Sequence, residues 1–174
     1  MSSIKNKFVS LNFVILVISD SRDRKSDKSG KILEERIIKS GHKVFKKEFI
    51  HDDVIKIKKG LREYLKNENL NVIILTGGTG LTGRDKTPEA VKSFLTKEIP
   101  GFGEIFRHIS FKKIGTSTIQ SRALGGLSND KFIFALPGSP SACKDAWDEI
   151  LKFQLDSRTK PCNLVELIPR LCEK

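Results

Sequence analysis

Short apolar runs that break into polar or glycine-rich loops and then into helical patterns constrain this chain most. Residues 13–18 and 72–75 are unbroken stretches of Phe, Val, Ile and Leu, and residues 132–136 read Phe-Ile-Phe-Ala-Leu. A run of four to six apolar residues, rich in β-branched side chains and without alternation, reads as a strand buried on both faces. A further strand is expected over Lys43–Ile50, with Val44 and Phe45 near its start and Phe49 and Ile50 at its end. Between these lie amphipathic segments. Leu33 and Ile37 share one helix face, and Val54, Ile57, Leu61 and Leu65 share another. The order β-α-β-α-β implies an α/β protein with a mostly parallel sheet and right-handed crossovers. At 174 residues one domain is expected, over 12–174, behind an N-terminal extension of residues 1–11.

The strand ends then meet on one edge of the sheet. The first ends in Ser19-Asp20-Ser21-Arg22-Asp23-Arg24, the second in His51-Asp52-Asp53, the third in Thr76-Gly77-Gly78-Thr79-Gly80. Open α/β sheets place their ligands on this edge. Three glycines in five residues, between a strand and a helix start, allow a close approach to an anion and aim backbone N–H groups at it. Thr76 and Thr79 add hydroxyls, Arg84 adds a cation, and Thr87 is placed to cap the next helix with Pro88 at its first position. A phosphorylated ligand is the expectation. Gly78 to Gly83 also fits G-x-G-x-x-G, but on the third strand rather than the first and without an acidic residue ending the next strand, which argues against a dinucleotide fingerprint. No G-K-[ST] follows, so the loop is not a P-loop.

A carboxylate beside a phosphate site calls for a compensating cation, and Mg²⁺ takes carboxylate and phosphate oxygens together. Asp85 is the first candidate ligand and Asp52 the second, with Asp20 a third acidic group. The competing reading makes Asp52 a helix cap and pairs Asp85 with Arg84 or a lysine. Pro137-Gly138-Ser139, followed by Pro140, repeats the strand–loop–helix layout and reads either as a second contact for an anion or base or as a helix start alone. Pro100-Gly101 breaks the chain, and Phe102, Ile105, Phe106 and Ile109 suggest a helix. Gly115 and Gly125-Gly126 bracket a short helical piece holding Ser121-Arg122, with a turn over residues 127–130. The residues alone do not choose between surface and site for Ser121 and Arg122.

The formal charge of +11, from 32 Lys and Arg against 21 Asp and Glu, favours anionic partners. The lysines lack the interleaved aromatics of a nucleic-acid surface, so no specific nucleic acid is expected. Three widely spaced cysteines fit a reducing cytoplasm, and no apolar run is long enough for a membrane span.

Several motifs in order carry a resemblance: Thr-Gly-Gly-Thr-Gly at 76–80, Arg84-Asp85-x-Thr87-Pro88-Glu89-Ala90, Pro100-Gly101-Phe102-Gly103-Glu104-x-Phe106-Arg107, Ser121-Arg122 and Leu136-Pro137-Gly138-Ser139-Pro140. Together they resemble the molybdopterin-binding family that includes the bacterial Mog and MoaB proteins. Residues 114–122 and the tail 155–163 are most similar to the MoaB branch. The resemblance implies a three-layer α/β sandwich, assembly as a trimer or hexamer, and work in molybdenum-cofactor biosynthesis beside other proteins of that pathway. It implies two activities. One is Mg²⁺- and ATP-dependent adenylylation of molybdopterin, with Asp85 and Asp52 catalytic and holding Mg²⁺. Residues 76–80, Arg84, Thr87, Ser121 and Arg122 would then bind molybdopterin or its phosphate, and Ser19, Asp20, Ser21, Pro137, Gly138 and Ser139 the nucleotide. The other is a non-catalytic molybdopterin carrier or scaffold, since some MoaB-branch members lack the acidic pair.

Overall fold

A computed structural model describes residues 7–21, 23 and 25–173; residues 1–6 of the extension, and Arg22 and Arg24 of the first strand-end loop, lie outside the described residues. Six strands form one sheet in the order β2-β1-β3-β6-β5-β4. They are β1 (Asn12–Ile18), β2 (Lys43–Ile50), β3 (Val72–Thr76), β4 (Lys97–Glu98), β5 (Leu124–Ser128) and β6 (Lys131–Leu136). β1 pairs in parallel with β2 and β3, and β3 with β6, whereas β5 runs antiparallel to β6 and β4 antiparallel to β5. The helices are α1 (Ser29–Lys39), α2 (Val54–Leu65), α3 (Thr87–Lys92), α4 (Pro100–Ile114), α5 (Pro140–Ala146) and, after a π-helical turn over Trp147–Leu151, α6 (Lys152–Gln154).

The central strands feed two separate cores because successive side chains point to opposite faces. Phe13, Ile15 and Val17 join Val72, Ile74, Phe132 and Phe134 beneath α1, α4 and α5. Val14, Leu16 and Ile18 join Ile73, Leu75, Ile133 and Ala135 beneath α2 and α3. That accounts for the absence of alternation in these runs and gives the expected three layers: helices, a mostly parallel sheet, helices. Trp147 is 1% exposed and meets the Phe13 ring edge-on at 5.8 Å.

The region after α4 differs from its sequence reading. Gly115–Gln120 is a 3₁₀ helix, but it stops before Ser121, whose ψ of 122° is already extended. Leu124–Ser128 is a strand, and only Asn129 and Asp130 form the turn into β6, with Asn129 at φ 54°. Gly125 and Gly126 hid this strand, since glycine lowers strand propensity. They are there for space: a Cβ on Gly125 would lie 2.8 Å from the Phe134 ring, and one on Gly126 2.7 Å from the Lys97 carbonyl. Of residues 7–11, read as part of an extension, Leu11 joins the core beneath the sheet. Leu11 is 2% exposed, and the Val9 N–H donates to Ser157 Oγ at 3.0 Å.

Candidate functional site

β1, β3 and β6 are adjacent and parallel, so their C-terminal ends lie side by side. The chain passes from β1 outward to β2 and then returns to the other side of β1 for β3. The loops after β1 and β3 therefore diverge and leave a crevice at the point where the winding reverses. A cavity of about 720 Å³ occupies it. Ser19, Asp20 and Ser21 line it from β1, Asp52 from β2, residues 77–80 with Thr82, Arg84 and Asp85 from the glycine loop, and Pro137, Gly138 and Ser139 from β6.

The glycine loop is shaped by contacts that admit no side chain. Gly77 sits at φ 110°, donates its N–H to the Leu136 carbonyl at 3.0 Å, and a Cβ there would lie 2.1 Å from the Ile18 carbonyl oxygen. Gly78 is at φ 63° with the Asp52 and Thr87 side chains against its Cα, and its carbonyl accepts from Thr87 N–H at 3.0 Å. Among the described residues the N–H groups of Gly78 and Thr79 have no protein partner. Two free donors on a glycine loop at a strand end form an anion cradle.

Three carboxylates surround that cradle, each held differently. Asp53, not Asp52, caps α2, accepting from the N–H groups of Ile55 and Lys56 at 2.9 Å. Asp52 is thereby left facing the cavity, and its Oδ1 is buried with no hydrogen-bond partner. Burial, then the charges of Asp85 and Asp20, push its carboxyl above the ordinary carboxylate range. Asp85 Oδ2 accepts from the Thr82 hydroxyl at 2.5 Å and the Thr82 N–H at 2.9 Å. The hydroxyl bond foremost, with N–H bonds and the Arg122 charge, holds Asp85 below the ordinary range against the opposing effect of burial. Desolvation acts on Asp20 upward, but the Asp52 N–H, the His51 ring and Arg84 together hold it low. Only Asp52 thus keeps an orphaned carboxylate oxygen beside the anion cradle, a hard donor of the kind Mg²⁺ takes, whereas Asp20 is paired with Arg84 and Asp85 with Thr82.

The remaining sequence candidates fall into three groups. Arg84 spans the cavity mouth and ion-pairs with Asp20. Ser121 and Ser139 line the cavity, and Ser139 also caps α5 through the Ala142 N–H at 3.2 Å. Thr76, Thr87 and Arg122 do not line it. Thr76 is fully buried and donates to the Pro137 carbonyl at 3.0 Å, which ties the ends of β3 and β6. Thr87 lies inside the first turn of α3 rather than capping it, and its buried hydroxyl has no partner. Arg122 binds the carbonyls of Gly80 and Asp85 from outside the crevice.

One wall was not anticipated. Phe106, Ser110 and Ile114, four apart on α4, line the cavity with Gln120. Their i, i+4, i+8 spacing was readable, but a mixed Phe-Ser-Ile face does not announce a ligand wall. Among the described residues, no group of three or more His, Cys, Asp and Glu has metal-binding geometry.

A family model described as "Probable molybdopterin binding domain" matches residues 14–157, which run from within β1 past β6 and take in the whole crevice. Over 163 residues the chain is 41% identical to molybdenum cofactor biosynthesis protein B of Escherichia coli strain K12, covering 94% of this chain and 96% of that protein. The protein of the same description from Bacillus cereus is 43% identical over 138 residues, 79% of this chain and 82% of its own. A crystal structure of molybdenum cofactor biosynthesis protein B superposes with a TM-score of 0.85 at 36% identity, covering 95% of this chain and 98% of that one. The MoaB structure from Thermus thermophilus gives 0.76 at 28% identity, covering 94% and 98%. On the span of the matched domain and the identity to these relatives, the chain belongs to the MoaB/Mog family of molybdopterin-binding domains.

Proposed function

We propose that this protein binds molybdopterin in molybdenum-cofactor biosynthesis and adenylylates it with ATP. The observation that carries the reading is the unpartnered, buried Asp52 Oδ1 beside Asp85 at the rim of a loop with free N–H groups. A pure anion holder has no use for that arrangement, because the carboxylates would repel the ligand.

In this reading the terminal phosphate of molybdopterin attacks the α-phosphorus of ATP. A new phosphorus–oxygen bond forms, the bond to the bridging oxygen breaks, and pyrophosphate leaves. The chain supplies alignment and charge stabilisation, as phosphoryl-type transfer demands, rather than a nucleophile. The N–H groups of Gly78 and Thr79 hold a phosphate, and Ser19, Ser21, Pro137, Gly138 and Ser139 frame the nucleotide. Asp52 and Asp85 would hold Mg²⁺, which when bound neutralises phosphate charge. The Phe106–Ser110–Ile114 wall and Ser121 complete the molybdopterin side.

Exposed apolar side chains at Ile105, Phe111, Ile114 and Ile119 support a homo-oligomer, since each is more than half exposed. Three cysteines spaced widely along the chain support a reducing, cytoplasmic setting. No helix among the described residues is long and apolar enough to cross a membrane.

The test is incubation with molybdopterin, ATP and Mg²⁺, followed by measurement of adenylylated product and pyrophosphate. Asp85→Asn is expected to lower turnover by about 10² or more, the scale of losing one electrostatic contact to the reacting group. Parent-rate turnover by that variant would remove Asp85 from the mechanism. Molybdopterin binding without pyrophosphate release in the unaltered protein would leave a carrier in place of an enzyme.

A further inference from the structure

We propose that Arg122 is the positioning residue of this site: it holds the loop of residues 79–85 in the shape that offers free N–H groups and Asp85 to a phosphate, and it does not touch the ligand. The inference deepens the phosphate-site reading above and rests on it.

Every nitrogen of this guanidinium has a partner. Nε donates to the Gly80 carbonyl at 2.8 Å and to the Thr79 carbonyl at 3.4 Å, Nη2 donates to the Asp85 carbonyl at 2.6 Å, and Nη1 pairs with the Glu89 carboxylate. Carbonyls from both ends of the loop converge on one planar cation. That task suits arginine, whose donors form a rigid fork, and lysine, a single compact charge, cannot copy it. The side chain is 27% exposed, so water competes weakly for these carbonyls.

The position agrees with the hydrogen bonds. Ser121 lines both the main crevice and a second cavity of about 420 Å³, whereas Arg122 lines only the second. Arg122 thus stands on the far side of the loop from the crevice. Its backbone is fixed because it leads directly into β5, which is laddered to β6.

The loop needs an external tie. Its own bonds, Asp85 N–H to the Thr82 carbonyl at 3.1 Å and Thr82 to the Asp85 carboxylate, fix residues 82–85 relative to one another. They do not fix that turn relative to the sheet. The Arg84–Asp20 pair reaches across, but the Arg84 side chain is 73% exposed, and such pairs are weak.

The experiment compares the full chain with Arg122→Gln and Arg122→Lys by amide hydrogen exchange and by calorimetric titration with ATP and Mg²⁺. Exchange over residues 79–86 is expected to speed up tenfold or more in both variants while β6 is unchanged. The dissociation constant for ATP should rise about tenfold. A change confined to residues 79–86, with β6 as the internal reference, separates release of this loop from general loosening. Unchanged exchange over 79–86 in Arg122→Gln overturns the proposal. If that variant does not fold, parent-like exchange in Arg122→Lys overturns it equally. If the unaltered protein binds neither ATP nor molybdopterin while the variants still loosen the loop, the phosphate-site reading falls and the clamp stands.

Discussion

Gly77 gives the sharpest test of how the crevice is built. The substitution is Gly77→Ala, and three effects add. At φ 110° an L-residue is strained, and sparsely populated backbone conformations cost about 1–3 kcal/mol. The new Cβ would lie 2.1 Å from the Ile18 carbonyl oxygen and 3.1 Å from its carbon. Those are backbone atoms at the end of β1, so no rotamer relieves the overlap; β1 and β3 must separate by more than an ångström at their C-terminal ends. Displacing Gly77 from Ile18 also distorts the 3.0 Å bond from its N–H to the Leu136 carbonyl on the other side of β3, at a cost of up to about 1 kcal/mol. Together the loss is expected at about 3–5 kcal/mol. At about 2–4 °C per kcal/mol for a chain of this size, Tm should fall by roughly 6–20 °C. Thermal and urea unfolding, followed by the fluorescence of the single tryptophan, buried Trp147, measure it directly. The control is Gly83→Ala, in the same loop, where a Cβ meets nothing within 4 Å; it should stay within about 0.5 kcal/mol of the parent. A Gly77→Ala protein less than 1 kcal/mol below the parent would refute the claim that Gly77 wedges the two strand ends together.

Two further predictions concern pH. The Asp52 carboxyl sits above its ordinary value of 3.8, so its contribution to stability is present below that value and is lost as pH rises through the folded-state pKa. Asp52→Asn is therefore expected to be more stable than the parent in urea unfolding at pH 7.5, with the difference closing at pH 3.5; a less stable variant at pH 7.5 would show that Asp52 is not electrostatically strained. His42 behaves in the opposite sense: burial above all holds its pKa below 6.5, and its Nδ1 accepts from the Leu11 N–H at 3.2 Å, which requires a neutral ring. Stability should be complete above pH 6.5 and fall as pH drops through the folded-state pKa, and His42→Gln should flatten that part of the curve; an unaltered slope would assign the titration elsewhere.

Much of the fold was legible because burial on both faces leaves a strong mark. β1, β3 and β6 carry unbroken apolar runs over residues 13–18, 72–75 and 132–136, and a bounded, β-branched-rich run of that length reads as a strand buried on both faces. The capping residues were less legible. Asp52 and Asp53 are equivalent by composition, and only the backbone shows that Asp53 turns its carboxylate to Ile55 and Lys56 while Asp52 faces the crevice. β5 was missed because its glycines answer to the Phe134 ring and to β4, partners distant in sequence. The Phe106–Ser110–Ile114 wall was missed because a helix face turned partly to core and partly to cavity carries no distinct periodicity.

The sequence by itself determined the order of β1, β2, β3 and β6 with the helices between them, the parallel character of the central sheet, and the gathering of Ser19, Asp20, Asp52 and the glycine loop on one edge. These follow from local patterning and from the handedness of crossovers, which need no knowledge of packing. Only the tertiary structure decided what each side chain does there. Arg122 is left between surface and site by its own residues; in space it donates to the Gly80 and Asp85 carbonyls from outside the crevice. Asp52 reads from the sequence as either a metal ligand or a cap; in space Asp53 is the cap and Asp52 Oδ1 has no hydrogen-bond partner. Side-chain direction depends on which partners the rest of the chain brings near, and that information is not stored at the position itself.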